Sequence, residues 1–194
     1  MTQENGVTTE ILDKTANPAP LGFTGLGLAA ILLSLSYIGV YPMDSMIVSM
    51  AIFLGGFAQV FAGIMAWKKG DIFGGTAFSA FGLFWFSLAG LITMPAMGWV
   101  ETPSSSAMAA YLFTWGIYTF VLLVVTMKIG VRAIQFVFAT LFALFMLLAA
   151  VNVTGSVGLL TVAGFVGLIM GLGALYTALS MVLNEIHGKT VVPV

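Results

Sequence analysis

Residues 45–97 read SMIVSMAIFLGGFAQVFAGIMAWKKGDIFGGTAFSAFGLFWFSLAGLITMPAM, two uncharged runs of 22 and 26 residues that meet at Trp67-Lys68-Lys69-Gly70-Asp71. A helix needs roughly 20 residues to cross about 30 Å of hydrocarbon. Each run is therefore long enough to span a bilayer, and the three charges between them mark a return to water. Four more uncharged runs flank this pair, at 21–40, 107–127, 133–151 and 157–183. The run at 133–151 has only 19 residues, whereas the last has 27 and has to tilt, bend or protrude. Backbone groups cannot go unpaired in lipid, and no run alternates as a barrel strand does, so the spans are helices. The fold class is an all-α integral membrane protein with six transmembrane helices.

Composition agrees. Of 194 residues, 60% are hydrophobic and 7% charged, where soluble domains carry about a quarter charged. Mean hydropathy is +1.12. A net charge of −1 offers nothing to nucleic acid, and the lack of cysteine excludes disulfides, thiolate metal sites and cysteine nucleophiles. The breaks between runs are short and rich in proline, glycine and small polar residues. Lys14, Lys68, Lys69, Lys128, Arg132 and Lys189 all fall on one side of a six-span chain, and the other three loops carry no Lys or Arg. The positive-inside rule makes that side, with both termini, cytoplasmic. The chain then divides into a flexible tail at 1–16, a membrane domain at 17–183 and a C-terminal tail at 184–194. The leader is too acidic at its start for a secretory signal and reads as retained.

Enzymatic chemistry finds no place. The one histidine, His187, follows the last run beside Glu185 and Lys189 and reads as solvated; no metal-ligand spacing or phosphate loop occurs. No metal or cofactor is expected. Asp44, Asp71, Glu101 and Glu185 stand at span ends, so no buried acid marks a proton relay, and no lysine within a span offers a Schiff base. Uncharged polar residues remain, among them Gln59 in the second run and Thr76 in the third. A buried hydroxyl usually serves helix packing, but an unpaired buried amide costs about 2–7 kcal/mol, so Gln59 stands open between packing and solute contact. Gly167 and Gly171, and the alanines at 58, 62 and 66, are stripes that admit close helix approach.

Before the first run stands NPAPLG, residues 17–22. Asn-Pro-Ala is the water-channel tripeptide, yet that fold needs two copies in re-entrant loops, and here the only copy precedes a span. Read locally, Asn17 caps a helix whose first turn accepts proline. Free amides at that helix start, near the interface, suit a carboxylate. Asn17, Pro18, Pro20 and Leu21 therefore join Gln59 and Thr76 as candidate substrate contacts.

The same NPAPLG, with GGFAQVFAG at 55–63, KKG at 68–70, GTAFSAFGLFW at 75–85, AIQFVFATL at 133–141 and VLNEIHGKTVVP at 182–193, resembles the acetate uptake transporter family. That family holds bacterial succinate–acetate permeases and fungal acetate and ammonia-export members. The resemblance implies six helices per protomer, a homo-hexamer in the cell membrane, and a pore in each protomer for acetate, related small carboxylates and succinate. It also implies a constriction of Phe, Tyr and Leu, which falls on Leu26, Phe81 and Leu141, so the first two depart from the pattern. These residues lie 9, 10 and 9 positions beyond Asn17, Asp71 and Arg132, which puts each about 14 Å deep in its span. With no acid inside the spans, a coupled proton would travel on the carboxylic acid itself, as in a channel or facilitator. The alternative is a membrane sensor or scaffold with a vestigial pore.

Overall fold

The computed structural model describes residues 15–194. The expected tail at 1–16 therefore lies, except for Thr15 and Ala16, outside the described residues, as does Lys14. Six helices long and apolar enough to cross a membrane are found among the described residues: α1 (Ala19–Ile38), α2 (Ser45–Lys68), α3 (Ile72–Ala96), α4 (Ser105–Ile129), α5 (Arg132–Thr154) and α6 (Val157–His187). Short links make successive helices run in opposite directions. Lys68, Lys69, Lys128, Arg132 and Lys189 consequently share one end of the bundle, here called the basic end.

Local chemistry sets the boundaries. Asp44, Asp71, Ser104 and Ser156 each accept a backbone N–H at the start of the helix that follows, at 2.9–3.3 Å. At the far ends of α4 and α5, Gly130 and Gly155 adopt φ of 82° and 66°, a conformation that side-chain-bearing residues resist. The start of α1 differs from expectation by one residue. Pro18 occupies the cap position, and Asn17 Oδ1 accepts from the Ala19 N–H at 3.0 Å in the turn before it.

Two features were not visible in the run lengths. The first is a π-helical stretch, Ala51–Ala58, inside α2. It lies where Gly55 and Gly56 meet the rings of Trp85 and Phe86, and a Cβ on either glycine would approach those rings to 2.6–2.7 Å. Two adjacent residues without side chains let the helix widen against the rings. The second is that α6 runs four residues beyond its uncharged run, after which the chain turns back. The Asn184 side chain accepts from the Val191 and Val192 N–H groups at 2.7 and 2.9 Å and donates to the Val192 carbonyl at 2.8 Å. The Tyr176 hydroxyl donates to the Pro193 carbonyl at 2.6 Å.

Close packing uses glycine. α1 lies along α6 with Gly27 against the Gly171 carbonyl, so that a Cβ on Gly27 would meet backbone at 2.8 and 2.9 Å. The GxxxG pair Gly167 and Gly171 thus serves a contact within the chain. α2 meets α3 in the same manner, Gly63 against Ser79 and Gly82 against Val60. Around α3, α4 and α5 the space is filled with rings instead. Phe84 stacks on Tyr111 with ring centroids 5.9 Å apart and meets Trp115 and Phe145 edge-on, each at 5.1 Å.

Candidate functional site

Two cavities lie one beyond the other along the bundle, and the same five helices, α1 and α3 to α6, contribute to both. The one at the basic end has a volume of about 420 Å³ and is open, with Asn17, Asp71, Phe23, Phe78, Ile134 and Met181 in its wall. The starts of α1, α3 and α5 gather there, together with the end of α4 at Ile129 and the carboxylate of Asp71. Asn17 and Asp71 spend an oxygen each on those helix starts. The second cavity, of about 40 Å³, is largely enclosed and has room for only a few waters. Its wall is apolar except for Ser34, Tyr37 and the indole of Trp85.

Leu26, Phe81 and Leu141 all line that second cavity, at the level nearest the basic end. They come from α1, α3 and α5 and are 4%, 2% and 3% exposed, which excludes a lipid-facing position. One turn nearer the basic end stand Phe23 and Phe78, an edge-to-face pair with centroids 5.1 Å apart, and both belong to the other cavity's wall. An apolar layer about one to two helical turns thick is what separates the two spaces. Phe81 is held at the centre of that layer by Trp115, Tyr118, Phe138 and Phe145, with ring centroids 5.7–6.4 Å away.

The other sequence candidates are not gathered at one place. Asn17 borders the open cavity, while Leu21 is 46% exposed on the outer side of α1. Pro18 and Pro20 sit half-buried at the start of α1. Thr76 lies on the exposed side of α3, where its carbonyl receives the Tyr118 hydroxyl at 3.3 Å. Gln59 is fully buried, and neither its Nε2 nor its Oε1 has a hydrogen-bond partner. It stands in the seam between α2 and α1, where a Cβ on Gly25 would meet its Cγ at 3.0 Å, and it belongs to neither cavity wall. Outside the spans, Tyr41 donates to the Leu32 carbonyl at 2.8 Å, and burial, aided by the Asp44 carboxylate, raises its pKa above the ordinary phenol value.

The model of the GPR1/FUN34/yaaH family matches residues 2–194. The chain belongs to the GPR1/FUN34/yaaH family. Within it, this member is 45% identical over 181 residues to the succinate-acetate/proton symporter SatP of Escherichia coli K12, an alignment that covers 93% of this chain and 96% of that one. It is 37% identical over 184 residues to ammonia transport outward protein 2 of Saccharomyces cerevisiae, and spans 64% of that longer protein. Among solved structures, that of the bacterial acetate channel SatP superposes with a TM-score of 0.91 at 45% identity, covering 93% of this chain and 99% of that one.

Sequence alone did not mark the other residues that shape the enclosed cavity beyond Leu26, Phe81 and Leu141. Leu144, Phe145 and Leu148 follow Leu141 at helical spacing on α5, and Leu33 and Ser34 follow Leu26 on α1. The periodic signal existed, but every face of these helices is apolar, so spacing alone could not separate the inward stripe from the lipid-facing one.

Proposed function

We propose that the protein carries acetate and related small carboxylates across the membrane through a path joining the two cavities, with Leu26, Phe81 and Leu141 as its narrowest level. The observation that carries this reading is the apolar layer itself: two cavities walled by one set of helices and parted by side chains rather than by backbone. Side chains can move aside, whereas packed backbone cannot. Kinship with SatP, named both a proton symporter and an acetate channel, supplies the solute class. Asp44, Asp71, Glu101 and Glu185 all stand at or beyond helix ends, so no charged relay is available within the described spans. A proton that accompanies the solute therefore crosses as part of the acid, which accommodates both names.

The basic end is assigned to the cytoplasm, with both termini, on the distribution of Lys and Arg. The setting is the cell membrane and the assembly a homo-hexamer with one path per protomer. Asn17, with the first turn of α1 through Pro18, Pro20 and Leu21, forms the proposed cytoplasmic entry, and Gln59 and Thr76 are further proposed contacts. In proteoliposomes, labelled acetate should enter down its gradient, and an imposed pH gradient with an ionophore present separates acid-form from anion passage. Vesicles that pass no acetate under any gradient would leave a sensor or scaffold with a closed pore.

A further inference from the structure

Two hydroxyls in the wall of the enclosed cavity are left unanswered by the fold. Ser34 and Tyr37 stand three residues apart on α1, so they share the helix face that borders the cavity. Neither hydroxyl has a hydrogen-bond partner among the described residues. The other four tyrosines, Tyr41, Tyr111, Tyr118 and Tyr176, each place the hydroxyl on a partner. Thr119, Thr126 and Thr177, as deeply buried as Ser34, donate to a carbonyl three or four residues earlier at 2.6–2.8 Å. Ser34, only 2% exposed, does not turn back in this way. Its Oγ occupies a notch left by Gly167 of α6, where a Cβ would collide with it and would meet the Leu144 methyl groups at 3.3–3.4 Å. Leu144 lines the same cavity. Neither oxygen is sealed off as Trp85 Nε1, Ser79 Oγ and the Gln59 amide are.

A hydroxyl both donates and accepts. Two of them on side chains whose Cβ atoms are about 5–6 Å apart suit the two oxygens of one carboxyl group. Both donate to a carboxylate; when the acid is protonated, one donates and the other accepts. We infer that Ser34 and Tyr37 form a docking site for the carboxyl group of a small acid in the enclosed cavity. The cavity has room for a few waters, or for one acid of acetate's size in their place. Counted along α1, the two residues lie about 12 and 16 Å beyond Leu26, on the far side of the apolar layer. The inference rests on the transport reading above and names the polar contact that receives the solute once it has passed Leu26, Phe81 and Leu141. Leu88, Leu112 and Leu148 in the same wall suit the acid's alkyl end. A buried hydroxyl without a partner is a standing cost, and the arriving carboxyl group relieves it. Neither hydroxyl carries a charge, so the solute is held without being trapped.

Tyr37→Phe and Ser34→Ala each remove one hydroxyl with little change of shape. In protein carrying tyrosine ¹³C-labelled at Cζ, held in nanodiscs, the signal missing from Tyr37→Phe is that of Tyr37. Sodium acetate should shift this signal with saturation, and sodium chloride at matched ionic strength gives the baseline. Ser34→Ala should raise the acetate concentration that half-saturates the shift by about fivefold, the worth of one net hydrogen bond. In proteoliposomes, each variant should raise the half-saturating acetate concentration for uptake by about the same factor. Ser36→Ala is the control, since the Ser36 hydroxyl donates to the Leu33 carbonyl, and it should leave that concentration unchanged. A Tyr37 signal that acetate moves no further than chloride does overturns the assignment and leaves water as the partner of both hydroxyls. A shift produced by ammonium chloride but not by sodium acetate overturns the carboxyl class. If the unsubstituted protein takes up no acetate while Tyr37 still responds to it, the transport reading fails and the site stands, so the two failures are told apart.

Discussion

Helix α1 meets its neighbours in two ways, a few residues apart. Toward α6 it presents Gly27, and the two backbones touch. Toward α3 and α5 it presents Leu26, Ala30 and Leu33, and side chains fill or line the gap. The first contact has no freedom, because any added atom displaces a main chain. The second is defined by atoms that can rotate, be trimmed or be exchanged without disturbing the bundle. A transport path needs both: a frame that keeps its shape and a lining that can open. The difference teaches where substitutions should damage the protein and where they should only change what it passes.

The largest effect is expected on the rigid side. Gly27→Ala places a methyl 2.8 Å from the Gly171 carbonyl and 2.9 Å from the Leu175 nitrogen, so α1 and α6 must separate. Overpacking of this kind costs about 1–3 kcal/mol. Thermal unfolding followed by size-exclusion in detergent should show a clear fall in Tm, with transport of every solute falling together. Gly90→Ala is the matched control, since its nearest neighbour would be 3.7 Å away and its Tm should not fall. Equal behaviour of the two variants would erase the contrast between seam and path.

On the adaptable side the effect should appear in selectivity. Leu141→Ala trims the proposed narrowest level, and uptake of succinate or lactate relative to acetate should rise by about tenfold or more, the scale on which apolar pockets discriminate by small changes in size. A general loss of all fluxes would mean that Leu141 is frame rather than lining. Phe81→Tyr is a gentler change. It adds one hydroxyl to a dry layer, where a hydrogen bond contributes about 1 kcal/mol, so acetate flux should rise about fivefold as the layer wets more readily. An abolished flux would show instead that the cluster of rings around Phe81 does not tolerate the oxygen.

Much of this division was legible in the sequence, and the limits are physical. Run lengths and the lysine-bearing breaks gave six spans, because water and lipid impose opposite demands on charge. Leu26, Phe81 and Leu141 could be placed at one depth because α1, α3 and α5 start from the same end. The π-helical stretch at Ala51–Ala58 was not legible, since AIFLGGFA satisfies an α-helix equally well until the rings of α3 are set against it. Thr76 illustrates a related limit. Depth along a helix follows from counting, but the side that faces inward depends on neighbours, and an all-apolar span gives no moment by which to choose it.

Gln59 falls between the two sides of the comparison and should give the smallest effect on flux. It belongs to the seam by position, against Gly25, yet it lacks what a seam residue normally has, since both polar atoms of its amide are buried without partners. Were it only packing, leucine would do the same work at lower cost, because unsatisfied buried polar groups cost about 1–3 kcal/mol. Gln59→Leu should therefore leave Tm unchanged or raise it. If the amide also meets solute or its water as the layer opens, acetate flux should fall at the same time, by about twofold to fivefold, the worth of one net hydrogen bond of about 0.5–1 kcal/mol. A more stable protein that transports less is the signature expected of a group kept for function at the expense of stability. A raised Tm with undiminished flux would return Gln59 to the frame, and the path would then be a matter for α1 and α3 to α6 alone.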